Sequence, residues 1–257
     1  QHATGGHTSF LLGQLSNGWW YYYIIAFLVK TPIPAIVFIF SSFVFWKPKK
    51  DKDNIAKMVL LIPVFVLFGF ALSTRINLGI RYLLPIFPLL YVFLSFLAER
   101  FSFKDIRNLA KNKFSFAGIF GVIFIVLISW HLVSSLRIYP SYLAYFNEAI
   151  GGPQNGMRYV TDSNLDWGQD VKRLKTYVEK HNIDKMIVDY FGKGNPKYYL
   201  GDKYIEWSAN KKQEPGWYAI SATYFQQANA YGDYQWLKNV KPYTTIGYSI
   251  LIFKYQI

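Results

Sequence analysis

The stretch "TDSNLDWGQD", residues 161 to 170, sets Asp162, Asp166 and Asp170 at every fourth position around Trp167 and Gly168. Acids spaced in this way suit a calcium loop, a carboxylate cluster for acid–base work, or the start of a helix. For calcium, Asp162, Asn164 and Asp166 would take the first, third and fifth ligand positions. The sixth is then Trp167, where such a loop turns on glycine, and the twelfth is Arg173, where it needs a bidentate Glu. Two defining positions fail, so a helix start fits better. Asp166 is placed to cap it, Gln169 three residues on completes a capping-box pattern, and Asp170 adds negative charge to the first turn. Capping leaves Asp162 and Asn164 unexplained, and they are candidates to line a ligand site. The candidate cations are Arg75 and Arg81 in "RINLGIR", residues 75 to 81, with Lys30 a weaker third. A guanidinium fork holds two oxygens of a phosphate at once; the plainer role for each is to mark a helix end or touch a lipid headgroup. His2 and His7 have no further His or Cys near them in sequence, too few partners for a metal. His131 stands in an apolar run and is expected to pack or sit at an interface, and His181 to be solvated. No metal site is predicted. With no cysteine in the chain there is no disulfide, thiolate ligand or cysteine nucleophile.

The elements that must position these groups are set by long runs without charge. Residues 114 to 136 contain no Asp, Glu, Lys or Arg, and at about 1.5 Å rise per residue such a run crosses a hydrocarbon core of about 30 Å. Residues 58 to 74 and 82 to 98 are similar. Residues 31 to 46 form a shorter fourth run, preceded by "GWWYYYIIAFLV", whose rings suit a membrane interface. That aromatic stretch reads as a belt anchor or as a re-entrant or interfacial helix, with Lys30 snorkelling outward. Nearly half of the formal charge of +13 sits in two loops. Residues 47 to 57 hold five Lys against two Asp, and residues 99 to 113 hold five basic residues against two acids. This follows the positive-inside rule rather than a nucleic-acid footprint. With both basic loops in the cytoplasm, residues 1 to 30, the loop 75 to 81 and the whole of 137 to 257 share the outer side.

The expected architecture is a polytopic α-helical membrane region of about four transmembrane helices, followed by a small α/β extracytoplasmic domain. Residues 1–30 form an outer loop and interfacial aromatic helix, 31–136 the transmembrane helices with two cytoplasmic loops, and 137–257 the α/β domain. Within the tail, residues 167 to 181 put Val171, Leu174 and Val178 on one helical face. "KMIVDYF", "KYIEW", "GWYAISA" and "SILIFKY" read as strands, and "QQANAYGDYQWLKN" as a short helix broken at Gly232. The chain opens on Gln1 with neither Met nor signal peptide, and it reads as the C-terminal part of a longer protein.

In order along the chain, "GWWYYYIIAFLVKTPIP", "NLGIRYLLPIFPLLYVF", "YPSYLAYFNEAIGG", "DSNLDWGQDVKRLK", "YAISATYF" and "IGYSILIFKY" resemble the C-terminal half of GT-C superfamily membrane glycosyltransferases. The branch is the glycosyltransferase family 39-like proteins related to protein O-mannosyltransferases. The resemblance covers nearly the whole chain, and the aromatic-KTP and DSNLDWGQD stretches are its more specific parts. It implies transfer of a sugar from a polyprenyl- or dolichyl-phosphate carrier to a protein, lipid or glycan acceptor at the outer face of the plasma membrane. It implies no cofactor beyond that lipid-linked donor and leaves divalent metal dependence open. The catalytic carboxylate of the family lies in its first outer loop, which would precede residue 1, so the fragment alone is expected to be inactive. On this reading Arg81, Arg75 and Lys30 serve the donor phosphate, where charge builds as the glycosidic bond breaks, and Asp162 and Asn164 line the sugar or acceptor site. The competing classes are a transporter subunit, against which the membrane segments lack embedded acids, and a non-catalytic membrane-anchored carbohydrate-binding protein, which the many Trp and Tyr of the tail would suit.

Overall fold

The computed structural model describes residues 8–46, 52–100, 106–107, 116–237 and 240–256, with side chains at all of these except 53, 99 and 100. His2, His7, most of the first basic loop's lysines and most of the second basic loop lie outside the described residues.

A small antiparallel hairpin opens the fold, β1 (Ser9–Leu11) against β2 (Gln14–Ser16). The aromatic stretch forms α1 (Tyr22–Lys30), and α2 (Ile33–Phe45) leaves it at a bend of 113°. The sequence accounts for the break. Thr31 precedes a proline and is extended (φ −92°, ψ 133°), since the proline ring clashes with a helical residue before it. Pro32 then starts α2, where its missing N–H costs nothing. Next come α3 (Lys52–Ser73), a 3-10 turn at Ile80–Leu83, α4 (Ile86–Leu94) running on as 3-10 helix to Arg100, and α5 (Phe116–Arg137).

Among the described residues two helices are long and apolar enough to cross a membrane, Asn54–Ser73 within α3 and Phe116–Arg137, or three if the bent pair α1–α2 counts as one span. Both are apolar all round, and large side chains point away from the protein: Phe40, Phe65, Phe70 and Phe116 are each more than three-fifths exposed. A lipid surround is the environment in which such faces are stable. The runs 31–46 and 82–98 differ from expectation. They give helices of 13 and 9 residues, about 20 and 14 Å long, because prolines set their starts: Pro32 ahead of α2 and Pro85 ahead of α4.

The tail is a five-stranded mixed sheet in the order β4-β3-β5-β7-β6. Its strands are β3 (Met186–Asp189), β4 (Tyr204–Glu206), β5 (Gly216–Ser221), β6 (Thr244–Ile246) and β7 (Ile250–Tyr255). β3 runs parallel to both neighbours, and β7 runs antiparallel to β5 and β6. The strands alternate faces at a period of two. Met186, Val188, Ala219 and Ile252 pack with Leu174 and Val178 of α6 (Val171–Lys180). Ile187, Tyr218, Ile220 and Phe253 pack on the other face with Ala228 of α8 (Ala222–Tyr231). A short α7 (Pro196–Leu200) joins β3 to β4. All four strands expected from the sequence recur here, as β3, β4, β5 and β7, and α8 ends at Gly232, whose left-handed φ of 92° closes the helix. The hairpin β1–β2 and the edge strand β6 are additions, each only three residues long.

The helix start in the acidic stretch is displaced from expectation. α6 begins after Asp170, and neither Asp166 nor Asp170 caps its amides. Asp166 instead accepts from the amide of Gly168 (3.1 Å) in a local turn, and Gln169 accepts from the amide of Trp167 (2.8 Å). Gly168 holds a left-handed φ of 76°, and this turn uses up the residues that a capping box would have needed.

Candidate functional site

Three segments far apart in sequence meet at one end of the helices: the β1–α1 region, the loop 74–80 and the stretch 161–170. Asn77 is buried and clasps the first of these. Its Oδ1 accepts from the Trp19 amide (2.6 Å), its Nδ2 donates to the Trp19 carbonyl, and its own carbonyl accepts from the Ser9 hydroxyl (3.0 Å). The Tyr23 hydroxyl donates to the Ile76 carbonyl (2.8 Å). Sequence reasoning passed over Asn77, and its only sequence signal is a polar residue between two candidate arginines.

Asn164 performs the same service for the tail. It is fully buried. Its Oδ1 accepts from the Ile80 amide (2.9 Å), and its Nδ2 donates to the Tyr22 hydroxyl (2.7 Å) and the Thr161 carbonyl (3.1 Å). Every hydrogen of the amide is engaged within the protein, so Asn164 acts on the site by holding it together. Ser163 beside it donates to the Leu78 carbonyl. The backbone approaches so closely here that a Cβ on Gly79 would collide with the Ser163 hydroxyl, and Gly79 has a φ of 90° that favours glycine.

Lys30 also turns inward. Its ammonium donates to the carbonyls of Leu143 (2.7 Å) and Asn164 and lies 4.3 Å from the centroid of the Phe146 ring. The snorkelling geometry expected from the sequence is replaced because two carbonyls and a ring face satisfy the charge inside the protein. Asn147 completes the clamp. It is buried, its amide nitrogen donates to the carbonyls of Leu28 and Thr31 (2.9 Å to the latter), and its backbone N–H donates to Val29 (2.9 Å). The orphan carbonyls at the end of α1 thus find partners in the tail, and the α1–α2 bend is fixed from outside the helices.

The two arginines remain at the surface. Arg75 is exposed, with its backbone against Gly18. Arg81 is exposed, and its guanidinium lies 5.3 Å from the centroid of the Trp167 ring and 5.7 Å from that of Tyr82. A guanidinium stacked on indole keeps its N–H edge free for an anion while the ring orders it. Trp167 and Asp162 border a groove of about 350 Å³ whose far wall is Phe191, Gln227 and Tyr231. The structure therefore brings Arg81 and Asp162 to one neighbourhood through Trp167, puts Asn164 and Lys30 beneath it as ties, and leaves Arg75 on the adjoining loop.

Asp162 has a positive φ of 55°, and its amide donates to the Thr223 hydroxyl at the start of α8 (3.0 Å). Asp166 is fully buried. Burial pushes its carboxyl up to about 7, the amides of Gly168 and Thr223 pull it back in part, the Asp170 charge adds to the rise, and the Ser221 hydroxyl lowers it. Asp170 is buried with an ion pair to Arg173 (2.8 Å) and a bond from the Ser249 hydroxyl (2.7 Å), a tie between α6 and the sheet. Of the three acids that open the sequence reading, two are thus structural, and Asp162 alone borders the groove.

A further acid that sequence reasoning missed is Glu148. It accepts from the Ser134 hydroxyl (2.6 Å) at the end of α5 and borders a second cavity of about 420 Å³ with Arg137 and Tyr145. Among the described residues no group of three or more His, Asp or Glu side chains is placed to hold a metal ion. No protein-family model, no curated protein and no solved structure matches the chain.

Proposed function

We propose that this chain is the C-terminal part of an integral membrane glycosyltransferase that moves a sugar from a polyprenyl- or dolichyl-phosphate carrier to an acceptor on the outer face of the membrane. In this reading four apolar segments traverse or enter the bilayer, and the tail stands outside the cytoplasm. The observation that carries it is the Arg81–Trp167 stack at the mouth of the groove that Asp162 borders. It joins an exposed guanidinium, an ordering aromatic ring and a recess whose largely aromatic wall carries Asp162 and Gln227, at the end of the apolar helices where a lipid-linked phosphate would arrive.

The chemistry assigns the parts. The bond between the anomeric carbon and the carrier phosphate breaks, a bond to the acceptor oxygen forms, and the acceptor's proton passes to a base. The electron pair stays on the phosphate, so the phosphate gains negative charge in the transition state. Arg81 is placed to stabilise that charge, with Arg75 as a second cation on the same loop. The base is assigned to sequence ahead of residue 1, as the family resemblance implies.

The test is binding of polyprenyl monophosphate to the chain in detergent micelles, followed by Trp fluorescence and compared with the uncharged polyprenol. Charge-assisted hydrogen bonds contribute about 1.5–3 kcal/mol, so Arg81→Ala should weaken monophosphate binding roughly tenfold or more, and Arg81→Lys by less. Polyprenol binding should not change. Equal loss for both lipids, or no loss for either, would remove Arg81 from the donor site.

A further inference from the structure

A cavity of about 610 Å³ in the tail is lined by none of the arginines. It opens at the carboxyl ends of the parallel strands, where α/β sheets hold their ligands. Asp189 is the last residue of β3 and Glu206 the last of β4, and both line it. One wall is α8, which contributes Tyr224, Gln227 and Tyr231. The volume falls within the range of about 300–1,000 Å³ typical of small-molecule sites.

The lining has an unusual chemical balance. It includes Asp189, Glu206 and Asp233, and it includes no Lys, Arg or His, in a chain whose formal charge is +13. Lys211 stands nearby, but its ammonium donates to the backbone carbonyl of Glu206 (3.0 Å). The Lys211 charge acts on Asp189 and lowers its carboxyl in part, but a phosphate, nucleotide or carboxylate ligand would still meet three lining acids against that one ammonium. Hydroxyl groups, by contrast, would find acceptors. Asp189 is over nine-tenths buried and is held in place by the Tyr234 hydroxyl, which donates to its Oδ2 (2.6 Å). The second feature is the rings. Tyr231 is 68% exposed, and Tyr190, Tyr204 and Tyr224 are half-buried around the cavity. An aromatic face with a polar tip matches a pyranose, which has apolar C–H faces and a rim of hydroxyls.

From these observations we infer that the cleft at the carboxyl ends of β3 and β4 binds an uncharged saccharide, its hydroxyls on the carboxylates and its C–H faces on the tyrosines. Gln227 and Tyr231 line this cleft and also the groove beside Trp167. A glycan seated in the cleft would therefore extend over Tyr231 toward Asp162. If the transferase reading holds, this glycan is the acceptor; the binding itself does not depend on that reading.

The test uses the whole chain in detergent micelles and a panel of neutral oligosaccharides, mannotriose, maltotriose and chitotriose, with glucose 6-phosphate as the anionic comparison. Binding is followed by saturation-transfer NMR and titration calorimetry. At least one neutral oligosaccharide should bind saturably below about 10 mM, more tightly than the phosphorylated sugar. Tyr231→Ala and, separately, Asp233→Asn should each weaken it about fivefold or more, and both side chains are exposed enough that the fold should survive. Lys175→Ala, at an exposed position of α6 away from the cleft, should leave it unchanged. Failure of all three neutral sugars to bind, preference for the phosphorylated one, or indifference to both cleft variants would overturn the inference.

Discussion

At the scale of single residues, the acidic stretch separates into roles that its spacing does not reveal. A period of four suits one helical face, yet the chain here is a 3-10 turn and a tight turn, so the three carboxylates point to different places. Asp166 gives a prediction with a definite sign. Its carboxyl is held up to about 7 in the fold and titrates near 3.9 when unfolded. Between those values the folded state keeps a proton that the unfolded state has lost. Stability contributed by Asp166 is therefore complete at about pH 4, falls as pH rises toward 7, and levels off above it. Asp166→Asn should remove up to roughly 1.4 kcal/mol per pH unit of that slope, raise the melting temperature at pH 8, and change it little at pH 4.5. Thermal melts in detergent at the two pH values check this. A variant as pH-dependent as the parent would show that Asp166 is not the titrating group.

At the scale of elements, the fold rests on a few buried amides that join helices to loops. Asn164, Asn77 and Asn147 each bridge segments more than 50 residues apart. Asn164→Ala should destabilise the protein by about 2–4 kcal/mol, because it strips partners from the Ile80 amide and the Tyr22 hydroxyl in a buried site. The melting temperature in detergent reports the loss. Asn164→Asp, which keeps the acceptor toward Ile80, should cost less near pH 5 than at pH 8, where its buried charge must be held. These joints explain what was legible in the sequence. The periodicities for α6, β3, β5 and β7 are local, since Val171, Leu174 and Val178 announce their face whatever they meet. The break between α1 and α2 is local as well, written in Thr31-Pro32. Lys30 was not legible, because its direction is set by carbonyls 113 and 134 residues away. The helix cap was misplaced partly for a related reason: besides the local turn at Gly168, Asp166 is held by Ser221 and Thr223 at the start of α8, which no window around residue 166 contains.

At the scale of the whole molecule, the apolar helices and the sheet domain are tied at one end, and that tie has a topological consequence. The β1–α1 region, the loop 74–80 and the tail hydrogen-bond to one another, so they must share one side of any membrane that α3 and α5 cross. In the proposed orientation, which rests on the two basic loops, that side is the outside. Single cysteines at Asp184 and Lys52, both exposed, check it in intact cells. An impermeant maleimide should label the first without lysis and the second only after it, and the reverse pattern would invert the orientation. Under the proposed function, Arg81, Trp167 and the two adjoining cavities would face the compartment where the lipid-linked sugar is used. The most direct measurement is sugar transfer by the intact gene product in liposomes, supplied with labelled polyprenyl-phosphate sugars and a neutral oligosaccharide acceptor. The account predicts label passing to the acceptor as free polyprenyl phosphate accumulates, with Arg81→Ala slower by about tenfold or more. Intact donor after prolonged incubation with every lipid-linked sugar supplied, in liposomes where the protein is folded and correctly oriented, would contradict it.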